Sequence, residues 1–243
     1  MSGDPPPVAH TRRRRRWRWL LRVAGLVIVL TVGLVVLWVA TWPDVAPLAK
    51  RFPETTAFIE RDRAKGVKVR WRPVAYDEIA DELKLAVLVA EDINFFSHSG
   101  FDKTEISNAA RDAIEGKRVR GASTITQQLA KNLWLSPEKT AWRKLEEAVL
   151  SWRLERTLSK RRILELYLNV VQFGPGTYGA AAASVRYFGV SASQLTADQA
   201  AQLAASLSRP SSWHPGTGSA GYARHVQRIR GRMERATWLN KLL

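Results

Sequence analysis

From Val23 to Trp42 the chain runs for about 20 residues without a charged side chain. As a helix rising ~1.5 Å per residue, such a run matches the ~30 Å hydrocarbon core of a bilayer. It is too long and too apolar to be left in water, so it is read as a membrane span. Arg12 to Arg16, Arg18 and Arg22 precede it, and Pro43-Asp44 follows. Positive charge is retained on the cytoplasmic side, which leaves the N-terminus inside and exports everything after the span. A cleaved signal peptide also opens with a basic stretch before an apolar one. This run exceeds a usual signal h-region and lacks an A-x-A site, so an uncleaved anchor is expected.

The remainder can bury one sizeable core, because 46% of the 243 residues are apolar. The sequence divides into a basic tail (1–22), the anchor (23–42), a juxtamembrane connector (43–75) and a single larger domain (76–243). The net charge is +16. The N-terminal arginines serve topology, and the downstream excess suits anionic lipid; no nucleic-acid fingerprint accompanies it. The chain has no cysteine, which excludes disulfides, thiolate nucleophiles and cysteine zinc sites and is compatible with export. Val67 to Trp71 alternates with period two, enough for a short strand, and after Pro73 the pattern is nearly all helical.

Asp77 is placed to cap a helix whose apolar stripe is Ile79, Leu83, Val87 and Ala90. Glu91 emerges where that stripe ends, in Glu91-Asp92-Ile93-Asn94-Phe95-Phe96-Ser97-His98-Ser99-Gly100. A carboxyl bordering apolar surface favours its neutral form, which raises its proton affinity toward that of a useful base. Two solvated acids at a helix end would look the same in isolation. Phe95 and Phe96 read as core packing, and His98 as a supporting hydrogen-bond partner.

The second block is Gly121-Ala122-Ser123-Thr124-Ile125-Thr126-Gln127-Gln128-Leu129-Ala130-Lys131-Asn132. Thr124 to Gln127 fits a capping box. Ile125, Leu129 and Leu133 share one helical face, and Thr124, Gln128 and Lys131 another. A polar stripe is commonly just solvated. This one combines a helix N-terminus, amide donors and a lysine, which together suit a diphosphate.

Ser136-Pro137 is expected to start the next helix, with Trp142, Leu145, Val149 and Trp152 as its buried stripe. Arg143 and Glu147, four apart, face the same side. Ser136 to Lys139 also matches S-x-x-K, but no K-T-G accompanies it and proline follows the serine, so it reads as a cap. Ser159 is expected to start a helix carrying Ile163, Leu166 and Tyr167. Gly174-Pro175-Gly176 breaks the chain, Thr196 to Gln199 opens an Ala-rich helix, and Ser219 caps a basic final helix. Asn169, Phe173 and Gly174 are candidate cleft lining.

These blocks resemble the E-D-x-x-F-x-x-H-x-G and G-[GA]-S-T-I-[ST]-Q-Q-x-x-K-N motifs of peptidoglycan glycosyltransferases, which polymerise lipid II. The likeness continues through Arg143-Lys144-Leu145-Glu146-Glu147, Ser159 to Asn169, Phe173-Gly174 and Arg186 to Gly189. The short C-terminal ending resembles the monofunctional, membrane-anchored branch, which penicillin would not label. The resemblance implies an all-α, lysozyme-like domain after one transmembrane helix. It makes Glu91 and Glu147, rather than Glu146, the catalytic acids. It places Asp92, Phe95, His98, Ser123, Thr124, Gln128, Lys131, Asn132, Arg143 and Lys144 at the substrate. No cofactor is required; Mg or Mn is an option, with Glu147 its candidate ligand. The implied partners are lipid II, the growing glycan chain, the cytoplasmic membrane, and penicillin-binding transpeptidases or division proteins, with no nucleic acid. A lytic muramidase and an inert cell-wall scaffold are the alternatives.

Overall fold

An uncharged run of this length satisfies its backbone polar groups internally by becoming helical, and all of it but Thr41 and Trp42 lies within one helix, α1 (His10–Ala40). The computed structural model describes residues 10–102, 104, 107, 111, 123–138 and 140–243. Among these, Arg16–Ala40 is the one helix long and apolar enough to cross a membrane. Apart from the partly covered Trp38, its apolar side chains are exposed, Leu34 at 67%, as lipid contact requires. Trp38 and Trp42 meet edge to face at its C-terminal end, with ring centroids 4.5 Å apart. Aromatic pairs of this kind suit a membrane–water interface.

Residues up to Asp44 form one compact unit and Val45–Leu243 a second. The second unit is mainly helical. It comprises α2 (Ala57–Ala64), α3 (Asp81–Glu91), α4 (Ile125–Trp134), α5 (Ala141–Thr157), α6 (Lys160–Val170), α7 (Ala180–Phe188), α8 (Ala197–Ser206) and α9 (Ala220–Arg235). Three short strands, β1 (Arg70–Trp71), β2 (Gln172–Gly174) and β3 (Thr177–Tyr178), form a sheet of order β1-β3-β2. β1 runs parallel to β3, and β2 antiparallel to it. The Gly174-Pro175-Gly176 break is therefore a hairpin. Gly176 has φ of +61°, and a Cβ there would lie 2.6 Å from the Lys68 carbonyl oxygen. Glycine fits both constraints.

The core has two halves. Leu83, Val87 and Leu88 of α3 pack against α8 and α9, where Ala200, Ala201 and Ala204 permit close approach. Ile125 and Leu129 of α4 face α5 and α6. Capping residues start the helices as their side-chain chemistry dictates. Thr124, Ser159, Thr196 and Ser219 each accept from a backbone amide three residues on.

Four local expectations are corrected. Asp77 does not cap α3; it lies in a 3-10 turn, Tyr76–Glu78, and the chain is extended at Ile79 before α3 begins. Tertiary hydrogen bonds impose this bend: Tyr76 N donates to Glu165 Oε1 at 2.8 Å, and Ala80 N to the Ala192 carbonyl at 2.9 Å. Ser136 does not start α5. Thr140 is its N-cap, accepting from Arg143 N at 3.1 Å.

The stripe of Trp142, Leu145, Val149 and Trp152 is not buried; the first, second and fourth are 55%, 48% and 51% exposed. The inward face of α5 is Glu147, Leu150, Ser151 and Leu154. Both faces have helical spacing. The one that packs carries two leucines, a serine small enough for close helix contact, and a carboxylate supplied with cations. Asn169 and Phe173 are fully buried, so they do not line a cleft. Asn169 staples the connector to α6: it accepts from Val74 N at 2.8 Å and donates to the Val74 and Glu165 carbonyls, both at 2.9 Å.

Candidate active site

Glu91 is the last residue of α3, and Asp92 turns away from the helix with φ of −162°. This break sends the two carboxylates to different environments. Asp92 accepts from His98 Nε2 at 3.0 Å and from Ile125 N, the first amide of α4, at 3.0 Å. A carboxylate at a helix N-terminus is favoured by the unpaired amides and the helix dipole. Gly100 N donates to His98 Nδ1 at 3.2 Å, so the ring proton sits on Nε2 and points at Asp92. Thr124 Oγ1 donates to the Gly100 carbonyl at 2.8 Å. Phe95 is fully buried. Asp92, Phe95, His98 and Thr124 thus tie the first motif to the start of α4. Phe95 cannot touch substrate from there, which corrects its placement as a binding residue.

Glu91 accepts from Gln128 Nε2 at 2.7 Å. Gln128 Oε1 in turn accepts from Tyr167 OH at 2.9 Å. Burial pushes the Glu91 carboxyl above its ordinary value; the Gln128 amide and the Lys131 charge oppose this, and Asp92 adds to it. Protein surrounds the carboxyl closely enough for desolvation to dominate, while the residue keeps part of its surface in a cavity. Tyr167 is fully buried, and desolvation raises its phenol well above its ordinary value, with the charges of Glu91 and Asp92 adding to the effect. It therefore remains a donor. In the sequence Tyr167 shares a helical face with Ile163, one turn earlier, and nothing in that spacing marks a polar contact across the core.

Lys131 projects from the same polar face of α4 as Gln128. Burial pushes its ammonium below the ordinary value; Glu147 and Glu91 hold it up, and Arg143 and Lys144 push it down. Glu147 is 3% exposed. Its Oε2 accepts from Arg143 Nη1 at 2.6 Å and its Oε1 from Lys144 Nζ. Lys144 Nζ also reaches Ser123 Oγ at 3.3 Å. A buried carboxylate paired on both oxygens fixes two cations in place beside a third. Glu146 is only partly buried and takes no part in this pairing. Asn132 is buried and donates to its own helix at the Gln128 carbonyl, 2.7 Å away.

Glu147 spends both oxygens on cations, so a divalent metal there would have to displace Arg143 or Lys144. Among the described residues no cluster of three acidic, histidine or cysteine side chains could hold a metal. The described residues do not fit a metal centre. Gly121, Ala122 and Lys139 lie outside the described residues.

The arrangement combines a carboxylate of raised proton affinity, held by an oriented amide, with two cations fixed by a buried glutamate and a third beside them. It can take a proton and stabilise a departing polyanion. Comparison with known proteins points the same way. The model of the transglycosylase family matches residues 60–234. The biosynthetic peptidoglycan transglycosylase of Thiobacillus denitrificans is 42% identical over 222 residues, covering 89% of this chain and 95% of that protein. That of Methylobacillus flagellatus is 42% identical over 225 residues, 90% and 96% of the two chains. That of Nitrosospira multiformis is 36% identical over 228 residues, 92% and 98%. Similarity of this extent, with the acid and the cation cluster inside the matched residues 60–234, makes the chain a glycosyltransferase that belongs to the transglycosylase family.

Proposed function

We propose that this enzyme polymerises lipid II into β-1,4-linked peptidoglycan strands, with inversion and release of undecaprenyl diphosphate, at the outer face of the bacterial cytoplasmic membrane. The observation that carries this reading is the pairing of Glu91 with the Lys131, Arg143 and Lys144 cluster. Glu91 takes the proton of the acceptor sugar 4-hydroxyl. The oxygen attacks the anomeric carbon of the growing chain, the C1–O4 bond forms, and the C1–O bond to the diphosphate breaks with its electron pair leaving on the diphosphate. Lys131 and Arg143 stabilise that charge. Arg143 Nε is buried and has no hydrogen-bond partner among the described residues. Glu147 holds Arg143 and Lys144 in position.

Burial and like charges already disfavour the Lys131 ammonium, so an arriving anion relieves an existing cost. The exposed face of Trp142, Leu145 and Trp152 lies on the same helix as Arg143. Arg156 sits 5.1 Å from the Trp152 ring centroid. Apolar side chains flanked by arginine suit a bilayer surface, which is where a lipid-linked substrate is found.

Purified enzyme given lipid II should form polymer and release undecaprenyl diphosphate. Lys131→Ala should cut kcat by at least about a hundred-fold, the scale of losing one oxyanion-type donor. Shortening of preformed glycan without consumption of lipid II would establish a lytic enzyme instead.

A further inference from the structure

A second cationic group borders Glu91 from the C-terminal helix. A cavity of about 500 Å³ is lined by Glu91, Asn94, Ser123, Arg232, Arg235 and Trp238, and by neither Lys131, Arg143 nor Lys144. Its volume lies within the usual range for small-ligand sites, about 300–1,000 Å³. Asp92 and Asp102 also border it. Asp92 is occupied by His98 and Ile125 N, and Asp102 accepts from Asn94 Nδ2 at 2.9 Å and from Thr104 N at 2.8 Å. Their hydrogen bonds hold these acids in the wall. Arg232 Nη1 donates to the Val89 carbonyl, 3.1 Å away, in the last turn of α3. That bond fixes one arm of the guanidinium next to the helix that carries Glu91. Arg235, one turn later, is exposed and makes no ion pair among the described residues. Trp238 is half exposed at the same rim. Arg235 and Trp238 lie beyond residues 60–234, the part matched by the family model.

Glycosyl transfer between two lipid-linked sugars involves two diphosphates with different fates. The donor's diphosphate gains charge as it leaves and needs cations whose effect grows in the transition state. The acceptor's diphosphate stays esterified and keeps its charge throughout, so cations that hold it lower KM and leave kcat alone. The base must face the acceptor hydroxyl. A cavity that opens onto Glu91 but excludes the leaving-group cations is therefore on the acceptor's side of the base.

We infer that Arg232 and Arg235 bind the diphosphate of the incoming lipid-linked acceptor, with Trp238 presenting an apolar face to the sugars beside it. This inference rests on the glycosyl-transfer reading above. Arg232, anchored to α3, ties the acceptor to the element that carries the base; Arg235 supplies a second, exposed guanidinium.

The test is steady-state kinetics of the full chain in neutral detergent, with lipid II varied as acceptor against a fixed preformed lipid-linked glycan donor. Arg235→Ala and Arg232→Gln should each raise the half-saturating lipid II concentration about ten-fold or more, the usual scale for a charge-assisted contact, at nearly constant kcat. Gln keeps a donor for the Val89 carbonyl, and Arg235→Ala decides the matter where the Arg232 variant fails to fold. Affinity for a phosphoglycolipid such as moenomycin, which competes at the leaving-group cations, should be retained. Arg224→Ala, which removes the same charge from the same helix outside this cavity, should change neither parameter. Unchanged half-saturation in both cavity variants would overturn the inference. So would a loss of kcat together with moenomycin affinity, which would assign these arginines to the leaving group. A KM effect confined to anionic phosphatidylglycerol vesicles would assign them to membrane headgroups and overturn it likewise. A wild type that consumes no lipid II would sink the glycosyl-transfer reading before any variant is made.

Discussion

Two adjacent carboxylates do different work because a single backbone turn separates their surroundings. Asp92 is tied to His98 and the first amide of α4, whereas Glu91 meets one amide donor and desolvating protein. Glu91→Gln should lose about two to four orders of magnitude in kcat while lipid II still binds, because proton abstraction contributes only in the transition state. Near-normal turnover would remove Glu91 from the mechanism. A base acts when deprotonated, so a carboxyl raised above its ordinary value moves the acid limb of the kcat–pH profile to higher pH. The Gln128 donor opposes that rise. Tyr167→Phe frees the Gln128 amide to turn its oxygen toward Glu91, favouring the protonated acid. The acid limb should then shift further upward, with activity recovering at higher pH. An unshifted profile in this variant would reduce Tyr167 to packing. Of the neighbouring acids, Glu147→Gln should be severe and Glu146→Gln mild, because only Glu147 orders Arg143 and Lys144; the reverse order in rate measurements would exchange their roles.

Helix α5 shows how one element serves two environments. Its Glu147, Leu150, Ser151 and Leu154 face the protein, and Trp142, Leu145 and Trp152 face outward. Periodicity alone cannot rank two apolar stripes when a bilayer offers a second apolar medium. Leu145→Asp and Trp152→Asp should leave Tm almost unchanged, since neither side chain is buried, typically within about 0.5 kcal/mol. In vesicles containing lipid II they should slow turnover markedly more than in detergent. Equal effects in both media would deny this face a membrane role.

For the molecule as a whole, the anchor and the catalytic unit solve separate burial problems, one in lipid and one in a core of its own. A reporter fused after Leu243 should signal only in the chemistry of the exported compartment; labelling of a C-terminal tag solely from the cytoplasmic side would reverse the orientation. Within the catalytic unit, Asn169 joins the connector to α6 through three side-chain hydrogen bonds. Asn169→Leu leaves the Val74 amide and two carbonyls without these partners. It should lower stability by about 2–4 kcal/mol in urea unfolding, while a loss below 1 kcal/mol would show that water replaces the staple.

The sequence by itself determined what depends on local pattern: the apolar span and its arginine flank, the helices begun by Thr124, Ser159, Thr196 and Ser219, and the motifs carrying Glu91, Lys131, Arg143 and Glu147. These are legible because capping and hydrophobic length act within a few residues or along one element. Only the tertiary structure decided which face of α5 is inward, where α3 begins, and that Asn169 and Phe173 are buried. It alone joined Tyr167 through Gln128 to Glu91, and brought Arg232 and Arg235 to the cavity beside that carboxyl. The hydrogen bonds among these contacts span 37 residues or more. Such pairings leave no periodic trace in the chain, because their energy comes from desolvation and hydrogen bonds that exist only once the helices have packed.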